Sequence, residues 1–178
     1  TFFPEGGDLV TDIESLVAFK ATDQKGMPVY VTGNIVDSKG NKITSFEPAH
    51  DGMGTFAFTP APGEQYKAVW KDKKGISHET ALPTAKNQGA VLSVLRTNKT
   101  VTYTLKRSKN ATVDFTSFYI VAQMRQQLLY SAKINLASRD EVTASFPTDS
   151  LGTGIVQLTV FNANQQPVAE RIFFVNNN

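Results

Sequence analysis

The chain has 178 residues, 40% of them hydrophobic and 19% charged, with a formal net charge of +2; that composition belongs to a folded globular chain and excludes a disordered or strongly basic one. Charges of both signs are interspersed. The densest basic stretch, Lys71, Lys73 and Lys74, is interrupted by Asp72, so it reads as a solvated hairpin turn, and no nucleic-acid partner is expected. Cysteine is absent, which removes disulfides, thiolate metal sites, cysteine nucleophiles and thioester chemistry together. No apolar run approaches the roughly 18 residues that cross a bilayer, so this segment is not expected to insert directly into a membrane.

Thr1-Phe2-Phe3-Pro4 reads as folded-domain sequence with no signal peptide ahead of it, as in a fragment trimmed from a longer protein. Asp12 to Ala21 fits either a short amphipathic helix or a strand; Val17 and Phe19, on either side of Ala18, favour the strand. Val29-Tyr30-Val31-Thr32 and Thr55-Phe56-Ala57-Phe58-Thr59 follow the two-residue period of a strand. Gln65 to Trp70 and Ile76 to Leu82 flank the polar hairpin Lys71 to Gly75. Farther on, Val101-Thr102-Tyr103-Thr104-Leu105-Lys106 alternates strictly, Phe118 to Met124 is almost continuously apolar as a central strand would be, and Ile155 to Val160 and Glu170 to Val175 alternate again. Turn signals separate these runs, among them Lys25-Gly26, Lys39-Gly40-Asn41, Asp51-Gly52, Pro62-Gly63, Lys74-Gly75 and Asn162 to Pro167. Many short strands with regular punctuation predict an all-β fold.

Pro83 to Gly89 lacks apolar periodicity, so a domain boundary is expected near Leu82 to Gly89; if that stretch is a flexible linker, proteolysis should nick it first. The halves on either side, 1–84 and 88–178, each have the size of an immunoglobulin-like domain. Each half also closes alike: a turn, an alternating strand, a polar hairpin and a last strand. The expected fold is therefore two tandem immunoglobulin/fibronectin-type-III-like antiparallel β-sandwiches.

Within the first half, Pro60-Ala61-Pro62-Gly63-Glu64-Gln65-Tyr66 resembles the tyrosine-corner turn of such domains. The resemblance makes Tyr66 the corner tyrosine, with Pro62 and Gly63 as its structural turn, and gives Ala68 the core position that cysteine holds in antibody domains. Glu64-Gln65 after Gly63 is similar to part of a thioester motif, but Pro62 stands in place of the cysteine. Trp70, with nearby Tyr66, is a candidate sugar platform, although alternation with Val69 makes the core its expected side. Tyr119 and Tyr130 are the other candidate ligand aromatics. His50 and Asp51 are adjacent, so in an extended chain they would point to opposite faces. His78 reads as a lone surface histidine, and two histidines do not make the three-ligand set of a zinc centre. The aspartates mostly sit in turns, where they cap local backbone. Neither a nucleophile elbow nor a phosphate-binding loop occurs. No catalytic residue, metal ligand or cofactor is expected.

A wider resemblance rests on Phe2-Phe3-Pro4-Glu5-Gly6-Gly7-Asp8-Leu9, Gly33-Asn34-Ile35-Val36-Asp37, His50-Asp51-Gly52-Met53-Gly54-Thr55-Phe56, Leu151-Gly152-Thr153-Gly154-Ile155-Val156 and Val168-Ala169-Glu170-Arg171-Ile172-Phe173-Phe174-Val175. These segments look like macroglobulin-type (α2-macroglobulin-like) domains of large bacterial surface proteins. That resemblance implies serial β-sandwich modules in an exported protein, periplasmic or on the cell surface and associated with the outer membrane. It implies non-catalytic structural or protein-interaction modules, whose partners are other domains of the same polypeptide and an outer-membrane or surface protein. The alternative is a carbohydrate- or peptide-binding module of a nutrient-uptake protein.

Overall fold

Ser15-Leu16-Val17-Ala18-Phe19-Lys20 forms strand β2, with Ser15, Val17 and Phe19 buried and the residues between them exposed. A period of two can hide one face of a strand but not one face of a helix, so the strand reading of this segment holds. The computed structural model describes residues 1–72, 74–97 and 99–177; Lys73 of the basic stretch lies outside them. Two units divide the chain, Thr1–Asn87 and Gln88–Asn178.

In the first unit β1 (Phe2–Pro4), β2 (Ser15–Lys20) and β5 (Met53–Phe58) make one antiparallel sheet. β4 (Lys42–Phe46), β3 (Thr32–Val36), β6 (Lys67–Lys71) and β7 (Ser77–Ala81) make the other, in that order. Their inner faces share a core of Val17, Phe19, Ile35, Phe46, Phe56 and Ala68. Four phenylalanines lock the sheets together, with Phe46 edge-on to Phe19 at 5.0 Å and to Phe2 at 6.3 Å. Each buried phenylalanine contributes roughly 1.5–3 kcal/mol through burial. At Gly33 on β3 an added Cβ would lie 2.3 Å from the carbonyl oxygen of Val69 on β6, so only glycine lets these strands approach so closely. Val29 to Val31, expected as strand, precede β3 instead. Val29 donates its N–H to Ala21 O at 3.1 Å, on the way from one sheet to the other.

In the second unit β12 (Glu141–Pro147), β9 (Thr100–Arg107) and β8 (Ala90–Arg96) form one sheet. β11 (Gln127–Asn135), β10 (Ser117–Met124), β13 (Gly154–Phe161) and β14 (Pro167–Val175) form the other. β10 is an inner strand, but only one of its faces is fully buried, through Phe118, Ile120, Ala122 and Met124. A single 3-10 turn, Val113–Phe115, precedes it. The strand order is that of the first unit, position for position: first, second and fifth strands in one sheet; fourth, third, sixth and seventh in the other. An immunoglobulin constant domain keeps its fourth strand beside the first, second and fifth. Here the fourth strand of each unit pairs with the third through a hairpin.

The boundary stretch is tied down at Leu82 and Lys86. Leu82 is buried and its N–H donates to Tyr66 O at 3.0 Å. Lys86 bridges Val10 in parallel, donating to Leu9 O at 2.8 Å and accepting from Thr11 N at 3.0 Å. Its ammonium lies 2.6 Å from Asp8 Oδ2. Proline and polar residues concealed this: a single bridging residue carries no periodic signal.

Candidate functional site

Tyr66, just ahead of β6, is buried against Phe58, ring to ring at 5.0 Å. Its hydroxyl accepts the N–H of Ala61 at 2.9 Å. Between them Pro62 leads into Gly63, whose φ of 72° lies in the left-handed region that glycine occupies without strain. The Glu64 carboxylate accepts the N–H groups of Ser38 and Gln65, each at 3.0 Å. Hydrogen bonding by the Ser38 side chain first, then by these two N–H groups, holds its pKa below the usual carboxylate range. Ala68 is fully buried. The Tyr66 hydroxyl and the Glu64 carboxylate are thus both engaged by backbone N–H groups of the first unit.

Trp70 is half-buried against the first core. Its Nε1 donates to Thr80 Oγ1 at 3.0 Å, and its ring stacks on His78 with centroids 4.5 Å apart and planes at 24°. His78 Nε2 lies 3.2 Å from Asp72 Oδ2, so His78 is not the lone surface histidine expected. The bond from His78, followed by the Ile76 N–H, lowers the pKa of Asp72. Trp70 is thus braced on one side and cannot present both faces to a ligand. Beside it, a groove of about 570 Å³ runs over the four-stranded sheet, with Thr32, Asn34, Ser45, Glu47, Lys71 and Ser77 in its lining.

Tyr119 and Tyr130 lie on opposite faces of the second unit's four-stranded sheet. Tyr119 is 37% exposed, with Lys133 Nζ 5.5 Å from its ring centroid. Tyr130 pairs with the buried Ala122 and so faces the core. There it stacks on Phe146 at 4.6 Å, and its hydroxyl lies 3.0 Å from that of Tyr103. Burial, with that bond, pushes the Tyr103 pKa well up. Tyr66 and Trp70 belong to one unit and these tyrosines to the other; within neither unit do the candidates form an exposed aromatic platform.

His50 and Asp51 do not diverge as an extended chain would require. Asp51 has φ 45° and Gly52 φ 72°, and the resulting turn brings His50 Nε2 within 2.9 Å of Asp51 Oδ2. Both side chains are exposed. Among the described residues no three His, Asp or Glu side chains gather as a metal site, and no helix is long and apolar enough to cross a membrane.

The carboxylates do cap turns, in a repeated geometry. Asp23, Asp37 and Asp72 each accept, through Oδ1, the N–H groups two and four residues on, at 2.8–2.9 Å. Asn162 does the same to Asn164 and Gln166 at 3.0 Å. Three residues after each aspartate stands a glycine with φ near 80°, Gly26, Gly40 or Gly75.

Sequence reasoning missed Arg107. It is buried, donating Nε to Leu136 O at 2.9 Å and reaching Asp140 Oδ1 with Nη2 at 3.1 Å. The signal was present, since Val101, Tyr103, Leu105 and Arg107 share one face of β9.

No family model and no curated protein matches the chain. Solved structures similar to it include the following two. One is described as a biofilm associated protein, BSP domain, 11% identical over 98% of this chain and 29% of that one, with a TM-score of 0.44. The other is described as a tetra-tandem repeat in the extending region of a large adhesion protein, 12% identical over 100% of this chain and 50% of that one, with a TM-score of 0.38. The chain spans less than a third of the first and half of the second.

Proposed function

We infer that the chain is a pair of non-catalytic modules that space and present other domains of a larger exported bacterial cell-envelope protein. The reading places it in the periplasm or at the cell surface, working with other domains of the same polypeptide and with an outer-membrane or surface protein. Macroglobulin-type origin is supported by the sequence motifs alone.

The observation that carries the spacer role is the anchored passage of the chain between the two sandwiches. On one side Lys86 is bridged to Val10. On the other, Gly89 donates its N–H to Ser108 Oγ at 2.8 Å and accepts the Ser108 N–H at 3.0 Å. A connector whose backbone groups are paired resists local opening and cleavage. Limited proteolysis of the intact chain tests this: the first cuts should fall outside Leu82 to Gly89. Early scission there into two stable halves would defeat the reading. The absence of catalysis is tested by screening for glycan, peptide and ester hydrolysis; turnover abolished by one serine or carboxylate substitution would refute it.

A second reading, carbohydrate or peptide binding, is supported by the groove beside Trp70, whose volume falls in the usual range for ligand sites. Trp70 is the sole tryptophan, so its fluorescence reports on that groove. Titration with cellotetraose and with a tetra-alanine peptide should shift its emission; unchanged emission with both would eliminate the reading.

A further inference from the structure

The outer face of the second unit's four-stranded sheet is unusually apolar for a surface that meets water. Leu128 is 66% exposed, Ile155 61%, Ile172 63% and Phe174 56%. Ile155, Ile172 and Phe174 are neighbours on β13 and β14, with Leu128 on the far edge strand; together the four expose on the order of 400 Å² of apolar surface, the scale at which a surface is often a binding site.

The register orders this face in rows across the strands. Leu128 on β11 pairs with Gln123 on β10, Gln123 with Gln157 on β13, and Gln157 with Ile172 on β14. Read across the sheet, the row is apolar, glutamine, glutamine, apolar, which is the same in either direction. Both central amides already donate within the face: Gln123 Nε2 to Gln157 Oε1 at 2.8 Å, and Gln157 Nε2 to Glu170 Oε2 at 2.7 Å. Burying them leaves chiefly the Gln123 amide oxygen to be met by a facing donor. Toward the other end of the face, Lys133 stands on one edge strand and Glu170 on the opposite one.

We propose that this face binds the same face of a second copy of the chain, forming a two-fold dimer. A two-fold axis lying between the copies and running along the strands exchanges left and right edges. It sets Leu128 against the partner copy's β14 edge at Ile172, and the glutamine pair against its own image. It also brings Lys133 toward the Glu170 edge of the other copy. Such self-complementarity is what an isologous contact requires. The apolar side chains of both copies and the polar groups among them cover on the order of 1,200 Å², the lower bound for a stable interface. The proposal goes beyond the spacer reading and stands or falls separately from it.

Sedimentation equilibrium of the whole chain, from about 1 μM to about 1 mM, tests the proposal across the range where a modest interface associates. A monomer–dimer equilibrium is expected. Ile172→Glu should weaken it at least about tenfold, and Leu128→Glu, on the other edge strand, should do likewise, with thermal melts showing both variants folded. Lys133→Glu and Glu170→Lys should each weaken the dimer, and the double variant should recover part of the loss by restoring the pair in reverse. A chain monomeric throughout the range would overturn the proposal. So would a dimer indifferent to both glutamate variants, or a double charge variant no better than its parents.

Discussion

Val156 stands in the second sandwich where Tyr66 stands in the first. Each lies six residues ahead of the side chain that caps the last hairpin, Asp72 in one unit and Asn162 in the other. Both are buried, but valine brings no hydroxyl to its corner. Asn177 braces that turn from outside with bonds of the opposite polarity, donating Nδ2 to Thr148 O at 2.5 Å and to Leu151 O at 2.7 Å. The same corner is thus closed by a local tyrosine in one unit and by a residue beyond the last strand in the other.

Tyr66→Phe should lower the stability of the first sandwich by about 1–3 kcal/mol, because the Ala61 N–H keeps its partial burial and loses its acceptor. Asn177→Ala should cost the second sandwich about 1–2 kcal/mol, because the Thr148 and Leu151 carbonyls lose their donor. Differential scanning calorimetry separates the two: each variant should move one transition. A melt unchanged by Tyr66→Phe would remove the tyrosine from the corner's support.

Gln165 occupies, three residues after Asn162, the place held by glycine in the three aspartate turns, and its φ is 60°. A side chain in the left-handed region costs roughly 1 kcal/mol. Gln165→Gly should therefore leave stability level or raise it slightly, whereas Gly75→Ala, at φ 79°, should lower it by about 1 kcal/mol. Chemical denaturation midpoints measure both, and a stabilising Gly75→Ala would contradict the turn geometry.

Arg107→Lys should destabilise the second sandwich by about 2 kcal/mol, since a lysine cannot serve the Leu136 carbonyl and the Asp140 carboxylate with one planar fork. Equilibrium unfolding checks this. If the lysine variant matched the parent, the arginine would be acting only through its aliphatic stem.

Asp37, Glu64 and Asp72 all have lowered pKa values, chiefly because each accepts side-chain or backbone hydrogen bonds in its charged form, from Asn41, Ser38 and His78 first. A carboxylate whose folded pKa lies below its unfolded one stabilises the fold above the unfolded value. That contribution is lost as pH falls through the folded value. Stability of the first sandwich should therefore drop on acidification through the carboxylate range, and Asp72→Asn should flatten part of the slope. Carboxyl-carbon NMR titrations that found ordinary midpoints for all three would contradict this.

Legibility followed burial. β2, β5, β9, β13 and β14 announce themselves because alternate side chains enter a core. The edge strands β4, β11 and β12 bury little and were not legible as separate elements; β11, for instance, buries only Ile134. β8 opens with Ala90, Val91 and Leu92 all buried, a run without alternation. Among the candidate aromatics, periodicity favoured the core for Trp70, but its brace on His78 depends on a register between β6 and β7 that no local pattern specifies. The same holds for the divergent His50 and Asp51 expected of an extended chain. That expectation fails because a positive φ at Asp51 is a property of the turn it closes.

The amino-acid order by itself determined the all-β class, the strand period and the capped hairpins, because each depends on residues within a few positions of one another. Which strands became neighbours was decided only in the folded molecule, as were Asn177 completing a corner, Arg107 finding its carbonyls and four strands together spelling a palindromic row. Those relations join residues far apart in the chain, and their energies exist only once two sheets have closed over a shared core.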